Sequence, residues 1–160
     1  MRKYIIISLL LLVNTANSEM IIDNLENSEN RNWVYFTDNV MGGVSTGTFV
    51  YINEDGENFY RMTGNVSTEN NGGFIQFATR VDNIDKGLQG IKIKVRGNNE
   101  DYELHLRTKF TPAPWQYYSS KFKVTKEWTE ILIPFSSFER SNFYPVSYTH
   151  LRAHETDSYL

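Results

Sequence analysis

The stretch Ile91-Lys92-Ile93-Lys94-Val95-Arg96 alternates between an aliphatic and a basic residue at every position. Residues 102–110, Tyr-Glu-Leu-His-Leu-Arg-Thr-Lys-Phe, alternate in the same way, with Thr108 as the weakest apolar member. Side chains two positions apart share one face of a strand, so both stretches predict strands with one apolar and one charged face. Gly97-Asn98-Asn99 between them predicts a hairpin turn.

Similar short segments surround this hairpin at a spacing of roughly ten residues, with turn signals between them. No stretch shows a sustained helical period. The pattern predicts an all-β fold, a two-sheet antiparallel β-sandwich, because strands with one charged face do not suit a fully buried parallel sheet. The other predicted strands are residues 21–25, 33–36, 48–52, 58–63, 74–79, 117–125 and 128–133.

The amino-terminal residues predict a secretory signal peptide. Met1-Arg2-Lys3 is basic, residues 4–13 are apolar, and Ala16-Asn17-Ser18 has the small-x-small form of a cleavage site. We expect residues 1–18 to lie outside the fold and to be removed after Ser18, with export to the periplasm or the extracellular space. The apolar run is too short to span a bilayer, so no transmembrane segment is expected after cleavage.

The length and composition of the chain limit its domain organisation and the classes of partner and site that it can have. The 160 residues suit one domain, which we place at residues 19–144. The net charge of −3 and the lack of a Lys/Arg run argue against a nucleic-acid partner. The chain has no cysteine, which excludes disulfides, thiolate metal ligands and a cysteine nucleophile.

Two Gly-Gly turns stand out. Asp38-Asn39-Val40-Met41-Gly42-Gly43-Val44-Ser45-Thr46-Gly47 lies between two predicted strands, and Asn70-Asn71-Gly72-Gly73 lies before another. Adjacent glycines allow positive φ angles or a close backbone approach, and such pairs mark structural corners more often than sites. If a functional surface exists, we expect these turns in it. The candidate binding residues here are Asp38, Met41, Gly42, Gly43, Asn70, Asn71, Gly72 and Gly73.

An aromatic cluster follows the rigid break Thr111-Pro112-Ala113-Pro114. We expect Trp115, Tyr117 and Tyr118 to be exposed there, where aromatic rings can stack on a sugar or dock an apolar partner. The alternative is packing at the core or its rim.

The sequence offers no convincing catalytic set, and we predict no enzyme, no cofactor and no metal site. Glu103, His105 and Arg107 share one strand face, but a pair without a third ligand more often forms a solvated polar face. Gly42-Gly43 is not a phosphate loop, because no Lys-Ser/Thr pair or helix follows it.

The last residues, 145–160, lose the strand pattern and resemble the in-frame translation of a sequencing-library adapter. We therefore expect them to be a non-native read-through tail. His150 and His154 have the spacing of two metal ligands on a helix, and they receive no weight for that reason.

Several motifs in order resemble the CIA30 family, named for a complex I intermediate-associated protein. Trp33 followed by Asp38-Asn39-Val40-Met41-Gly42-Gly43-Val44-Ser45 carries the resemblance, and residues 64–74 resemble the second glycine motif of that family. The strands at residues 90–97 and 102–108 also agree. So does the late Trp128-Thr129-Glu130-Ile131-Leu132-Ile133-Pro134-Phe135, with Phe138 after it.

The resemblance runs over about residues 21–143. It implies a galactose-binding-like jelly roll, truncated here at its carboxyl end, and a non-catalytic protein that binds a protein partner, as family members do in assembling respiratory complex I. The alternative is a carbohydrate-binding module of an exported protein, with a glycan as the partner.

Overall fold

The computed structural model describes residues 2–13, 19–26, 32–141 and 158–159. Short 3₁₀ turns occur at Asp38–Met41, Glu69–Asn71 and Phe135–Ser137. The strands are β1 (Arg2–Val13), β2 (Glu19–Asp23), β3 (Val34–Thr37), β4 (Thr46–Glu54), β5 (Glu57–Asn65), β6 (Ile75–Ala78), β7 (Gly90–Gly97), β8 (Asp101–Thr108), β9 (Tyr118–Lys123), β10 (Thr129–Pro134), β11 (Glu139–Arg140) and β12 (Ser158–Tyr159).

These strands form three antiparallel sheets. The largest has the order β10-β7-β1-β5-β4, with β2 paired to β1. A second sheet has the order β11-β9-β8-β12, and β3 pairs with β6 in a third. The architecture confirms the predicted all-β antiparallel class and is consistent with a β-sandwich.

The alternation in β7 has the predicted effect. Ile91, Ile93 and Val95 are at most 1% exposed, while the basic residues between them remain half-buried. Burying one such side chain completely contributes about 1.5–3 kcal/mol relative to leaving it exposed. The core around them is made of Met62, Ile75, Val81, Leu88, Leu106, Tyr118, Phe122, Val124, Ile133, Phe135 and Phe138.

The β4–β5 hairpin brings the two Gly-Gly stretches to the same end of the sheet. Its register runs from Glu54 opposite Glu57 at the turn to Thr46 opposite Asn65 at the open end. The first Gly-Gly stretch comes directly before β4, and the second follows β5. The hairpin turns at Asp55-Gly56, and it explains how glycine turns some thirty residues apart can meet.

The position of β1 differs from our expectation that residues 1–18 lie outside the fold. The strand lies between β5 and β7, from Arg2 opposite Asn65 on one side to Val13 opposite Gly90 on the other. The backbone of an apolar run can complete a sheet whatever its targeting role. Removal of the segment after Ser18 stays a prediction.

The carboxyl-terminal tail is described only at β12, where Ser158 lies opposite Thr108 and Tyr159 opposite Arg107 of β8. His150 and His154 lie outside the described residues, and the read-through origin of the tail stays a prediction. Among the described residues, no helix has the length and apolar character needed to cross a membrane.

Candidate functional site: two glycine turns joined by Asp38

The first glycine turn is the 3₁₀ turn Asp38–Met41 with Gly42 and Gly43 after it. Thr37 caps its start, accepting a hydrogen bond from the Asn39 N–H at 3.2 Å. Gly42 ends it in the left-handed region, with φ of 90°, and Gly43 N–H donates to the Asp38 carbonyl at 3.0 Å. The positive φ predicted for this stretch is therefore used at Gly42.

The second glycine turn is Glu69–Asn71 with Gly72 and Gly73 after it. Asn70 and Asn71 both have positive φ, at 55° and 60°, which asparagine tolerates better than most residues. Gly72 N–H donates to the Glu69 carbonyl at 3.0 Å and closes the turn. Asn70 and Asn71 are exposed.

The carboxylate of Asp38 joins the two turns. Its Oδ2 accepts from the Ser45 hydroxyl at 2.5 Å, from Gly73 N–H at 2.6 Å and from Phe74 N–H at 3.3 Å. Its Oδ1 accepts from Ser45 N–H at 2.9 Å. Asp38 is completely buried, so this one side chain satisfies donors that would otherwise lack a partner.

Ser45 extends the junction to the end of β5. Its hydroxyl accepts from Ser67 N–H at 3.0 Å while donating to Asp38. The side-chain amide of Asn39 donates to the Ser45 carbonyl at 3.0 Å. Ser45 is as fully buried as Asp38, and the two residues form the polar centre of the site.

The glycines next to the carboxylate are required by space. A Cβ on Gly43 would overlap Cγ of Asp38, and a Cβ on Gly72 would overlap its Oδ2. Neither residue has a φ in the left-handed region. The close-approach role of a Gly-Gly pair is thus filled by Gly43 and Gly72, and the positive-φ role by Gly42 and Gly73.

Hydrogen bonding dominates the charge state of Asp38. Burial acts to raise the pKa of this carboxyl. The hydrogen bonds from the Ser45 hydroxyl and from the backbone N–H groups of Gly73, Ser45 and Phe74 act to lower it, and together they hold the pKa below its ordinary value of 3.8. The carboxylate is therefore ionised near neutral pH, and its lone pairs face donors of the protein itself.

This lowered pKa predicts an acid-sensitive fold. A carboxyl whose folded pKa is depressed contributes stability above its unfolded pKa, and that contribution is lost as the pH falls through the folded value. We expect the melting temperature of the wild-type chain to fall below about pH 4 more steeply than that of Asp38→Asn, which cannot titrate there. Thermal unfolding followed by circular dichroism across this range measures it; parallel curves would contradict it.

A second prediction concerns Gly42. No atom lies within 4 Å of a Cβ built on this residue, so only backbone strain opposes a side chain. We expect Gly42→Val to lower the free energy of unfolding by about 1–2 kcal/mol and Gly42→Asn to lower it by less, because asparagine tolerates the left-handed region. Urea unfolding compares the two; an equal loss in both variants would refute the strain.

One known protein family matches most of the chain, including both glycine turns. The family described as Complex I intermediate-associated protein 30 (CIA30) matches residues 22–147. The chain belongs to the CIA30 family. This confirms the resemblance drawn from the glycine motifs and the later strands. No curated protein matches the chain. The CIA30 match covers both glycine turns, and β1 lies before its first residue.

The CIA30 glycine turns carry an apolar tip, which we define as Val40, Met41 and Val44. These side chains are 70%, 69% and 44% exposed. They project from a turn whose backbone is anchored below them by Asp38. Neighbouring exposed apolar groups that form a contiguous patch mark interaction sites more often than isolated ones do. Asp38 and Ser45 of this stretch are buried, whereas Met41 and Val44 face solvent.

The aromatic cluster is only partly what the sequence predicts. Trp115 is 53% exposed, but Tyr118 is 5% exposed and belongs to the core. The Tyr117 ring stacks on His105 at 4.1 Å between centroids. The expected exposure of Tyr118 is wrong because β9 begins there with its side chain inward, in phase with Phe122. Trp115 and Tyr117 remain available as a platform.

The Glu103–His105 pair lies on a partly exposed face of β8. His105 Nε2 and Glu103 Oε2 are 3.1 Å apart, and Lys121 approaches the other Glu103 oxygen at 3.7 Å. Arg107 donates to the Pro112 carbonyl at 3.3 Å. In the described ranges, no three His, Cys, Asp or Glu side chains gather where they could hold a metal ion. The pair forms part of a charged surface.

A shallow pocket of about 160 Å³ lies between β2 and the start of β3. Asp23 at its wall accepts from Trp33 Nε1 and from the Tyr60 hydroxyl, both at 2.7 Å. Arg80 and Asp82, on one exposed segment of its lining, pair with each other at 2.8 Å. Ligand pockets usually measure roughly 300–1,000 Å³, so we read this hollow as packing around Trp33.

Sequence reasoning missed the burial of Ser45 and the part of Ser67 in the junction. Both serines lie inside the two glycine motifs, and that shared placement was the available signal. It also missed Asp23 as the partner of Trp33. No local pattern reveals that contact, because Tyr60 is distant in sequence and the hydrogen bonds form only once β2, β3 and β5 meet.

Proposed function

We propose that this protein is a non-catalytic binding protein of assembly-factor type, exported from the cell, which holds a protein partner through the apolar tip. The description of its family names association with a complex I intermediate, and that supports a protein partner for this chain. The observation that carries the proposal is the Asp38 junction, which rigidly presents Val40, Met41 and Val44 to solvent.

The same junction argues against catalysis by the motif that marks the family. Each Asp38 oxygen accepts from protein donors at 2.5–3.3 Å, and the carboxyl is buried. A general base must reach a substrate proton, and a nucleophile needs a base beside it. Asp38 can do neither without breaking the turns that it holds.

Site-specific photo-crosslinking in the native host tests the partner. A photoreactive residue at Val40 or Met41 should capture one and the same protein, and the same probe at Leu132 should not. Leu132 is a matched control because it is 59% exposed on β10, in a different sheet position. Equal capture at all three positions would overturn the proposal.

With that captured protein purified, Met41→Glu should weaken binding at least about tenfold, because a charge then has to be desolvated at the contact. The fold should be unaffected, since Met41 is exposed. Leu132→Glu should bind as the wild type does. If Met41→Glu binds the partner with unchanged affinity, the apolar tip is not part of the surface that contacts the partner.

Export is tested separately. If residues 1–18 are a signal peptide, protein recovered from outside the cytoplasm should begin at Glu19 on amino-terminal sequencing. A product that retains Met1 or Arg2 and stays in the cytoplasm would overturn this part of the proposal while leaving the tip untouched.

A second candidate function is a carbohydrate-binding module. It is favoured by the Trp115 loop, which is held in place when Ser141 donates to the Trp115 carbonyl at 3.0 Å and accepts from Tyr117 N–H at 3.2 Å. A half-exposed indole on a backbone held in this way can stack on a sugar ring. Saturable binding on a glycan array that disappears in Trp115→Ala would support it, and no binding at millimolar sugar would count against it.

A further inference from the structure

The strand β1 is the sole link between two halves of the largest sheet, as far as the described residues show. It pairs with β5 from Arg2 opposite Asn65 to Ile7 opposite Tyr60. It pairs with β7 from Ile5 opposite Gly97 to Val13 opposite Gly90. The remaining neighbours of those strands are β4 and β10, on their far sides.

Taking β1 away would therefore leave a groove one strand wide. Its walls would be the inner edge of β7 on one side and the edges of β5 and β2 on the other, each with N–H and C=O groups that need partners. Its floor is apolar, because Met62 and Tyr60 of β5 and Ile93 and Val95 of β7 are buried on the core side. Such a groove is costly to leave open.

The segment that fills the groove is also the segment predicted to be cleaved on export. Its pairing is interrupted, with register shifts between Ile7 and Leu9 against β7 and between Leu10 and Leu11 against β2. Each shift breaks the regular ladder of hydrogen bonds. The ladder with β5 is continuous from Arg2 to Ile7, so β1 matches β5 there but matches β7 and β2 only in part.

We propose that the space between β5 and β7 is a strand-acceptor groove. It is filled in cis by β1 and, after release of residues 1–18, by an extended, uncharged apolar segment of a partner protein. This goes beyond the binding by the apolar tip, since it uses another surface and other chemistry. Only the moment at which the groove becomes free for a partner rests on the proposed export and cleavage.

The geometry states what the occupant must be. β1 is antiparallel to both β5 and β7, so the incoming segment must run antiparallel to both walls. Residues 4–13 contain no charged residue, which suits the apolar floor. Main-chain hydrogen bonds would supply affinity, as in other cases of strand addition to an open sheet edge.

A disulfide lock first tests the position of β1 in the full chain. Ile6→Cys with Arg61→Cys places two thiols directly opposite each other on β1 and β5. The matched control is Ile6→Cys with Val50→Cys, since Val50 lies opposite Arg61 on β4, two strand spacings or about 10 Å from β1. The chain has no other cysteine. Mild oxidation should crosslink the first pair alone.

The uptake experiment uses the same full chain with a protease site in place of residues 14–18, cut after folding. The probe is a fluorescent peptide with the sequence of residues 2–13 and lysines added for solubility. We expect saturable uptake by the cut, unlocked protein, none by the uncut or disulfide-locked protein, and recovery on reduction. A peptide with proline in place of Ile6 and Leu10 should bind at least about tenfold less, because each proline removes a ladder donor.

Every outcome decides. Failure of the Ile6–Arg61 crosslink, absence of uptake, aggregation of the cut protein even with peptide present, or equal binding of the proline peptide each overturns the groove. If the protein instead forms dimers by exchanging β1 between copies, the occupant is a second copy of this chain, and the proposal of a partner segment is overturned. Met41→Glu should take up the peptide normally, so failure here and failure of the tip can be told apart.

Discussion

Asp38→Ala should lower the melting temperature by roughly 10 °C or more, which is at the large end for a single substitution in a domain of this size. The change removes the acceptor of four hydrogen bonds at once, and two of the donors belong to the buried Ser45. A buried donor left without a partner costs its full desolvation penalty. The two glycine turns also lose the side chain that joins them.

Asp38→Asn is the matched control for that variant. Its amide oxygen can stay where Oδ2 accepts from Ser45, Gly73 and Phe74, while its NH₂ faces the Ser45 N–H. We expect a smaller loss than in Asp38→Ala. Differential scanning calorimetry of the three proteins gives the order, and an alanine variant that melts with the wild type would show that the junction is not structural.

The strands could be predicted from the sequence where burial and alternation coincide. Residues 91–96 alternate because one face of β7 covers the core while the other carries half-buried basic side chains. The predicted strands near residues 48–52 and 58–63 likewise appear as β4 and β5. Local pattern suffices in β7 because its two faces have different environments, whereas in β5 the adjacent Phe59 and Tyr60 are both buried and alternation gives less guidance.

The phase of a strand matters as much as its existence. The strand predicted at residues 117–125 is present as β9, and the inward set that contains Phe122 and Val124 also contains Tyr118. Exposure of Tyr118 was expected because of the preceding prolines, and that composition argument conflicted with the phase. The phase prevailed, since a strand cannot turn one residue outward without shifting all the others.

The Asp38 junction could not be predicted for a different reason. Its donors come from Ser45, seven residues away, and from Gly73 and Phe74, about thirty-five residues away. In the sequence, Asp38 has the appearance of a turn residue. Only the β4–β5 hairpin brings the second turn to it, and the place of β1 in the sheet is equally a matter of long-range pairing.

In the glycine motif, support of the turns and contact with a partner belong to different residues. Asp38, Gly43 and Gly72, which belong to the motifs that carry the resemblance to the family, are buried or lie close to the carboxylate. The residues able to meet a partner, Val40 and Met41, are exposed beside them. The motif is thus a support, and specificity for a partner would reside in the tip.

Gly72→Ala should reveal the physical reason for the second Gly-Gly pair. Gly72 has φ of −76°, so alanine is not strained by the backbone, but its Cβ would overlap Oδ2 of Asp38. We expect a loss of about 1–3 kcal/mol in the free energy of unfolding, the usual cost of overpacking. In the Asp38→Ala background the overlapping atoms are gone, and the same change should cost less than about 0.5 kcal/mol.

Gly90→Ala supplies the control for this double-mutant cycle. Its Cβ would press on Ile133 and Pro134 of β10, so its cost should be the same with and without Asp38. Urea unfolding of all six proteins, in sulfate buffer to keep the Asp38→Ala background folded, measures both couplings. A Gly72→Ala cost that persists without the carboxylate would mean that glycine is required there by something other than Asp38, and the close approach would lose its explanation.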